Sequence, residues 1–229
     1  MDKYPEVKQI AMLFSDPTRS HIVDVLMDGR AHTLTEIATA VHVTPQTTTY
    51  HLQGLMGQNL VTMEKAGRFH YFSLASDAVA SVFETLSGVA PSTPTSAYAE
   101  KRKFAQIDYC RTCYDHLAGQ VGVTITDQLL RRAYLERLGN AYAVTAAGRN
   151  FFEEQFALDL NELSKLKRRT TTACLDWSER RHHLGGALGH GIFQYLLAHD
   201  YVFRGKVPRS VELTAAGKIF LQQALGIAI

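Results

Sequence analysis

Two short runs carry most of the groups able to do chemistry. The first holds Cys113, Asp115 and His116, and the second holds Cys174, Asp176 and His183. Each begins Cys-x-Asp and continues into a His-Leu-x-Gly run, His116-Leu-Ala-Gly119 and His183-Leu-Gly-Gly186. Thiols, imidazoles and carboxylates in such company can ligate a metal, bond a polar ligand, or act as redox thiols. Cys110, Cys113 and His116 recur at i, i+3 and i+6, a spacing that predicts Cys113 and His116 on one side of a single helix. Cys110-Arg-Thr-Cys113 also has Cys-x-x-Cys spacing, but one such pair with a distant Cys174 does not specify zinc. The plain alternative is that both cysteines are small core residues and both histidines satisfy backbone groups. Against it, an organic-ligand pocket ranks first, redox sensing second and metal third. The expected effector or redox set is Cys113, His116, Cys174, Arg180 and His183, with no metal and no cofactor assigned. Three cysteines are an odd number and make no disulfide framework.

Trp177-Ser-Glu-Arg-Arg-His-His183 joins the single tryptophan to two arginines and two histidines. Arg180, Arg181 and His183 can together hold an anion, since arginine presents a planar fork to carboxylate or phosphate; the alternative is a solvated helix start. Lys165-Leu-Lys-Arg-Arg169 reads as a solvated basic face. No nucleophile motif surrounds either cysteine, so no catalytic residue is assigned and the chain is read as a non-enzyme. A cysteine-dependent enzyme and a metal-sensing regulator are the alternatives.

A different set of polar residues lies near the N-terminus. Thr44 is a good N-cap, and Pro45 fits the first turn of the helix that follows, which runs to about Gly57. Thr48, Leu52, Leu55 and Met56 fall on one face of it, and Gln46, Thr47, Thr49, Tyr50 and Gln53 lie mainly on the other. The outer face has hydroxyls and amides and no acid, which suits a helix entering a DNA major groove. Before it, Leu34, Ile37, Ala38 and Val41 recur at helical spacing, with His42-Val43 as the turn. After it, Val61–Lys65 and Arg68–Leu74 read as strands joined around Ala66-Gly67, with Lys65, Arg68 and His70 clustered at the tip.

This order resembles the winged helix-turn-helix of the ArsR/SmtB family of bacterial repressors. The resemblance rests on Ser15-Asp-Pro-Thr-Arg19, Leu34-Thr-Glu-Ile-Ala38, Thr44-Pro-Gln-Thr-Thr-Thr-Tyr-His-Leu52, Asn59-Leu-Val61 and Gly67-Arg-Phe-His-Tyr-Phe72, and it covers roughly residues 5–87. It implies a repressor that binds a double-stranded DNA operator as a homodimer, with the first and last helices of the domain forming the seam. The expected DNA contacts are Gln46, Thr47, Thr49, Tyr50, Gln53, Lys65 and Arg68. Arg19 is weighed equally between a phosphate contact and a surface ion pair. One metal site of the family uses cysteines at the segment here reading Leu34-Thr-Glu-Ile-Ala38, and another uses Asp, His and Glu on the last helix. The first segment has no cysteine and Asp77–Gly88 has no histidine, so neither site is expected.

The predicted fold is mainly α with small β hairpins (α+β), in three parts: a DNA-binding and dimerisation domain at 1–88, a Pro/Ser/Thr linker at 89–97, and a C-terminal domain at 98–229 expected to be the sensor. Within the last part the His-Leu pairs are offset by 67 residues and the Cys-x-Asp pairs by 61, with Thr-Ala-Ala-Gly repeated at Thr145 and Thr214. The ordered series predicts two half-repeats, each a helix, a Gly-rich packed helix, a strand pair and a helix, of degenerate winged-helix type. Charge is uneven. Residues 1–90 hold six Lys and Arg against nine Asp and Glu, a net of −3, and the rest carries +5. DNA affinity must then come from where Arg19, Arg30, Lys65 and Arg68 lie, and is expected to be strongly salt dependent. No apolar run reaches about 18 residues, so no membrane span is expected. The first residues lack a signal-peptide pattern, which predicts a cytoplasmic protein.

Overall fold

The computed structural model describes residues 6–91 and 98–229, without the side chains of 98–102. The chain's contacts divide it into Met1–Phe83 and Glu84–Ile229, a boundary inside one helix, α5 (Asp77–Val89). Most of the predicted linker, 92–97, and the first five residues lie outside the described residues.

The N-terminal part runs α1 (Val7–Phe14), α2 (Pro17–Leu26), β1 (His32–Thr33), α3 (Leu34–Val41), α4 (Pro45–Gly57), β2 (Val61–Ala66), β3 (Phe69–Leu74) and then α5. Its helix starts follow from local chemistry. Asp16 caps α2 by accepting from the Arg19 N–H at 2.9 Å, and Pro17 takes the first turn. Thr33 and Glu36 form a reciprocal capping box on α3. His42 closes α3 in the left-handed region, φ 58°, which turns the chain into α4. Ile22, Val23, Val25 and Leu26 of α2, Ile37 and Val41 of α3, and Leu52 and Leu55 of α4 bury together as their periodicity predicts. The sheet has a third strand that the sequence did not reveal: β1 pairs antiparallel with β3, giving the order β1-β3-β2. Two residues of alternating pattern are too few to read as a strand.

The C-terminal part begins with α6 (Tyr98–Tyr109) and then repeats one series. The first pass is β4 (Arg111–Cys113), β5 (His116–Ala118), α7 (Gly119–Arg131), β6 (Leu135–Leu138), β7 (Ala141–Val144) and α8 (Ala146–Phe156). After the short α9 (Leu160–Ser164), the second is β8 (Thr172–Leu175), β9 (His182–Gly185), α10 (Gly186–Ala198), β10 (Val202–Arg204), β11 (Val211–Leu213) and α11 (Ala215–Leu225). The duplication is therefore structural, but the predicted element order needs correcting. Each half opens on a β-hairpin where a helix was expected, and the Gly-rich helix, the second strand pair and the closing helix then follow in the expected order. Thr145 and Thr214 cap α8 and α11 through the N–H of Gly148 and Gly217, which explains the repeated Thr-x-x-Gly. Gly119 and Gly186 open α7 and α10 at φ 73° and 78°, a turn any side chain would strain.

The two halves interlock. The second half's β9 packs on α7 of the first, and β5 of the first packs on α10 of the second. Phe151, Phe152 and Phe156 of α8 and Phe193 and Leu196 of α10 fill one shared core. This exchange brings the two opening hairpins side by side.

Candidate functional site: a buried thiol–imidazole cluster and a polar helix face

Cys113 pairs with His116 across β4–β5, and Cys174 pairs with His183 across β8–β9. The predicted single helix carrying Cys113 and His116 is thus corrected. Side chains directly opposite on antiparallel strands lie on the same side of the hairpin, and this replaces the helical i, i+3 relation as the reason the pair converges. Adjacent hairpins then assemble all four residues, with one ligand-type atom from each lying within 4.8 Å of every other. Cys113, His116 and His183 are buried and Cys174 is partly so. The two imidazole rings stand 5.2 Å apart between centroids.

Each histidine is backed by the aspartate of its own half. His116 Nδ1 lies 3.3 Å from Asp115 Oδ1, and His183 Nδ1 lies 3.3 Å from Asp176 Oδ2, the latter an ion-pair distance without hydrogen-bond alignment. Nε2 of both rings is buried and accepts or donates no hydrogen bond. The aspartates are themselves clamped across the repeat. Asp176 accepts from Arg111 of the first half at 2.9 Å and from the Gly119 N–H at 2.7 Å. Asp115 is gripped by both terminal nitrogens of Arg168, which leads into the second half, and lies 3.2 Å from His190 Nδ1. Burial alone would push both carboxyls up, but His116, His190 and Arg168 hold Asp115 well below the usual range, and His183 and Arg111 do the same for Asp176.

Two of the thiols, Cys113 and Cys110, are held in the protonated form. The hydrogen bond with Cys174, together with burial, pushes the Cys113 thiol up to about 12, and burial pushes Cys110 up as well. A protonated buried thiol is a poor nucleophile. Cys110 lies in the apolar core, apart from the cluster, so the Cys-x-x-Cys spacing does not describe a site.

Backbone space points the same way. A Cβ on Gly185 would stand 2.8 Å from His116 Nε2 and 2.9 Å from Cys174 Sγ, so only glycine leaves the cluster's flank open.

The predicted anion cradle does not form. Arg180 is exposed on the β8–β9 turn at φ 54°, Arg181 reaches Asp127, and His183 turns inward to Asp176. Arg180 is therefore removed from the cluster. Trp177 instead covers Arg111, whose guanidinium carbon sits 4.2 Å from its ring centroid. Sequence reading missed Arg111 and Arg168 as organisers of the site. Arg168 hid within a basic run whose other charges are exposed, and no spacing rule announces a buried arginine.

In the N-terminal part, α4 buries Thr48, His51, Leu52 and Leu55. Gln46, Thr47, Tyr50 and Gln53 are exposed, Tyr50 by 68% of its surface. Thr49 is half-buried and its hydroxyl donates to the Pro45 carbonyl at 2.8 Å. Lys65 and His70 are cross-strand partners beside the Gly67-Arg68 turn, and the side chains of Lys65, Arg68 and His70 are all exposed. Arg19 makes the ion pair weighed above, with Asp16 at 4.0 Å, and also closes the end of α1: its Nε donates to the Leu13 carbonyl at 2.9 Å and a terminal nitrogen to that of Met12. Arg30 is drawn to Asp28 at 2.7 Å.

Residues 14–64 match a family model described as a helix-turn-helix domain. The chain is 37% identical over 227 residues to the uncharacterized HTH-type transcriptional regulator YdfF of Bacillus subtilis (strain 168), covering 98% of this chain and 99% of that protein. Among solved structures it is similar to NolR from Sinorhizobium fredii, at 23% identity over 41% of this chain and 100% of that one, with a TM-score of 0.34. The transcriptional repressor PagR of Bacillus anthracis is similar at 23% identity over 37% and 99%, with a TM-score of 0.32.

Proposed function

We infer, for a chain that belongs to the helix-turn-helix transcriptional regulators, that it binds an operator as a homodimeric repressor and receives its signal through the C-terminal domain. The observation that carries the DNA half is the outer face of α4. Gln46, Thr47, Tyr50 and Gln53 stand exposed on it with no acidic residue among them, beside a wing whose tip offers Lys65, Arg68 and His70. Amides and hydroxyls can read base edges, while the wing cations neutralise phosphate. Placing cations at the tip is also how a domain of net negative charge can bind DNA.

The dimer half is supported by α1. It buries no residue within the chain, although Val7 and Met12 are apolar and 71% and 59% exposed. Val82 on α5 is likewise 48% exposed. Two-fold symmetry lets two recognition helices meet two half-sites. The signal half is supported by the buried cluster, which would otherwise be a costly concentration of polar groups.

The decisive experiment is a gel shift with the full chain on DNA upstream of its own gene, followed by footprinting. A protected pseudo-palindrome is the expected result, and no preference over random DNA would overturn the reading. Among the described residues no helix is long and apolar enough to cross a membrane.

A further inference from the structure

We propose that Cys113, His116, Cys174 and His183 form a closed, four-coordinate site for a single thiophilic divalent ion of the zinc class. The proposal deepens the signal-input reading above and rests on it only for the consequence at DNA.

The donor set comes first. Two sulfurs and two imidazole nitrogens in a compact group are the combination that suits tetrahedral Zn(II). Zn–S bonds of about 2.3 Å and Zn–N bonds of about 2.0 Å place ligand atoms roughly 3.3–3.8 Å apart. The four atoms already lie within 4.8 Å of one another, so small side-chain rotations close the shell. The gap is too small for an organic effector. It is also too small for a two-iron cluster, which would hold its cysteine pair and histidine pair apart on separate irons.

Second, the rings are oriented for it. The carboxylates of Asp115 and Asp176 face the Nδ1 atoms, and both Nε2 atoms are left buried without a hydrogen-bond partner. A buried unmatched nitrogen is costly. A ligated histidine usually gives its other nitrogen to a carboxylate, which fixes the ring and strengthens the donor. Here Asp115 makes that hydrogen bond to His116, and Asp176 stands 3.3 Å from His183 Nδ1.

Third, the charge balances. Binding one M(II) requires Cys113 and Cys174 as thiolates and both imidazoles neutral, so it releases the two thiol protons together with any proton held on the ligating ring nitrogens. The ion with two thiolates and two neutral imidazoles is then net neutral, as a buried site requires. Four protein ligands leave no open position, so the ion performs no hydrolysis. Because each half-repeat supplies one cysteine and one histidine, the ion ties the halves together.

The test uses the reduced, chelator-stripped full chain titrated with Co(II). The expected result is one equivalent per chain, with ligand-field absorption of tetrahedral intensity and a thiolate-to-cobalt charge-transfer band, both erased by Zn(II). Cys110→Ala keeps these signals. Gly185→Ala, which pushes a methyl group against His116 Nε2 and Cys174 Sγ, weakens binding, and Asp115→Asn lowers affinity about 10–100-fold. No charge-transfer band in the wild-type chain overturns the site, and that result depends on no variant folding. A band of unchanged intensity in the Cys113→Ser, Cys174→Ser double variant overturns it equally.

The same stripped and Zn(II)-loaded samples are then compared on operator DNA. A change in affinity of about 5-fold or more supports the ion as the signal. A cobalt band with unchanged operator affinity keeps the site and removes the ion as the signal. A cobalt band in a chain that shows no operator preference keeps the site and removes the regulator reading.

Discussion

Cys174 lies directly across the β8–β9 hairpin from His183, as Cys113 lies across β4–β5 from His116. One hairpin turns over in Tyr114-Asp115, and the other carries the longer Trp177–Arg181 segment. The pairing of cysteine with histidine survives this difference, because register is set by the strands and the turn absorbs the inserted residues.

The recognition helix should read bases and the wing should supply general affinity. Gln46→Ala or Tyr50→Ala is expected to cost about 1–3 kcal/mol on the operator and little on unrelated DNA. Arg68→Ala should weaken all DNA alike and reduce the salt slope by about one. Operator titrations at several salt concentrations check both; wild-type binding by both α4 variants would remove α4 from the groove.

The dimer seam is best probed at Val82. It is exposed within the chain, so Val82→Asp should leave the domain folded while placing a charge in the seam, giving monomers with poor operator binding. Phe83 is a weaker probe, because its ring packs on Phe14 at 5.8 Å and an aspartate there disturbs the domain itself. Sedimentation of Val82→Asp as an intact dimer would place the seam elsewhere.

Glu84 and Arg209 form a buried ion pair, 3.0 Å apart, in the C-terminal part. Burial would raise the Glu84 carboxyl, but Arg209 and Arg111 hold it below its usual range. Removing one member of such a pair strands charge in the interior, so Glu84→Ala should destabilise by about 3–5 kcal/mol. Urea denaturation measures this; a loss under about 1 kcal/mol would show that water reaches the site.

Asp28 makes the N-terminal part acid-sensitive. Burial opposes its ionisation, but His32 at 2.9 Å and Arg30 at 2.8 Å bring it down to about 2. A carboxyl whose folded value lies below its unfolded one stabilises fully above the unfolded value, near 4, and loses that stabilisation as pH falls toward 2. The contribution is about 2 kcal/mol. Thermal unfolding between pH 5 and 2 should show a steeper loss for the wild type than for Asp28→Asn; parallel curves would show that the pair does not persist in solution.

The sequence by itself determined the winged helix. Caps such as Asp16, Thr33 and Thr44 act within one turn, and the apolar faces of α2, α3 and α4 repeat at helical period, so each element is specified by its neighbours. It also determined that the second part is duplicated, because Thr-x-x-Gly and His-Leu-x-Gly are local packing devices that recur in order. Tertiary structure alone decided what the duplicated groups do. A spacing of three suits a helix as well as a tight hairpin, and only strand pairing put Cys113 opposite His116. Nothing along the chain says that β9 packs on α7 and β5 on α10. That exchange unites groups some 60 residues apart, parts Cys110 and Arg180 from them, and draws Arg111 and Arg168 to the aspartates behind the rings, since a buried carboxylate must find a cation wherever the fold supplies one.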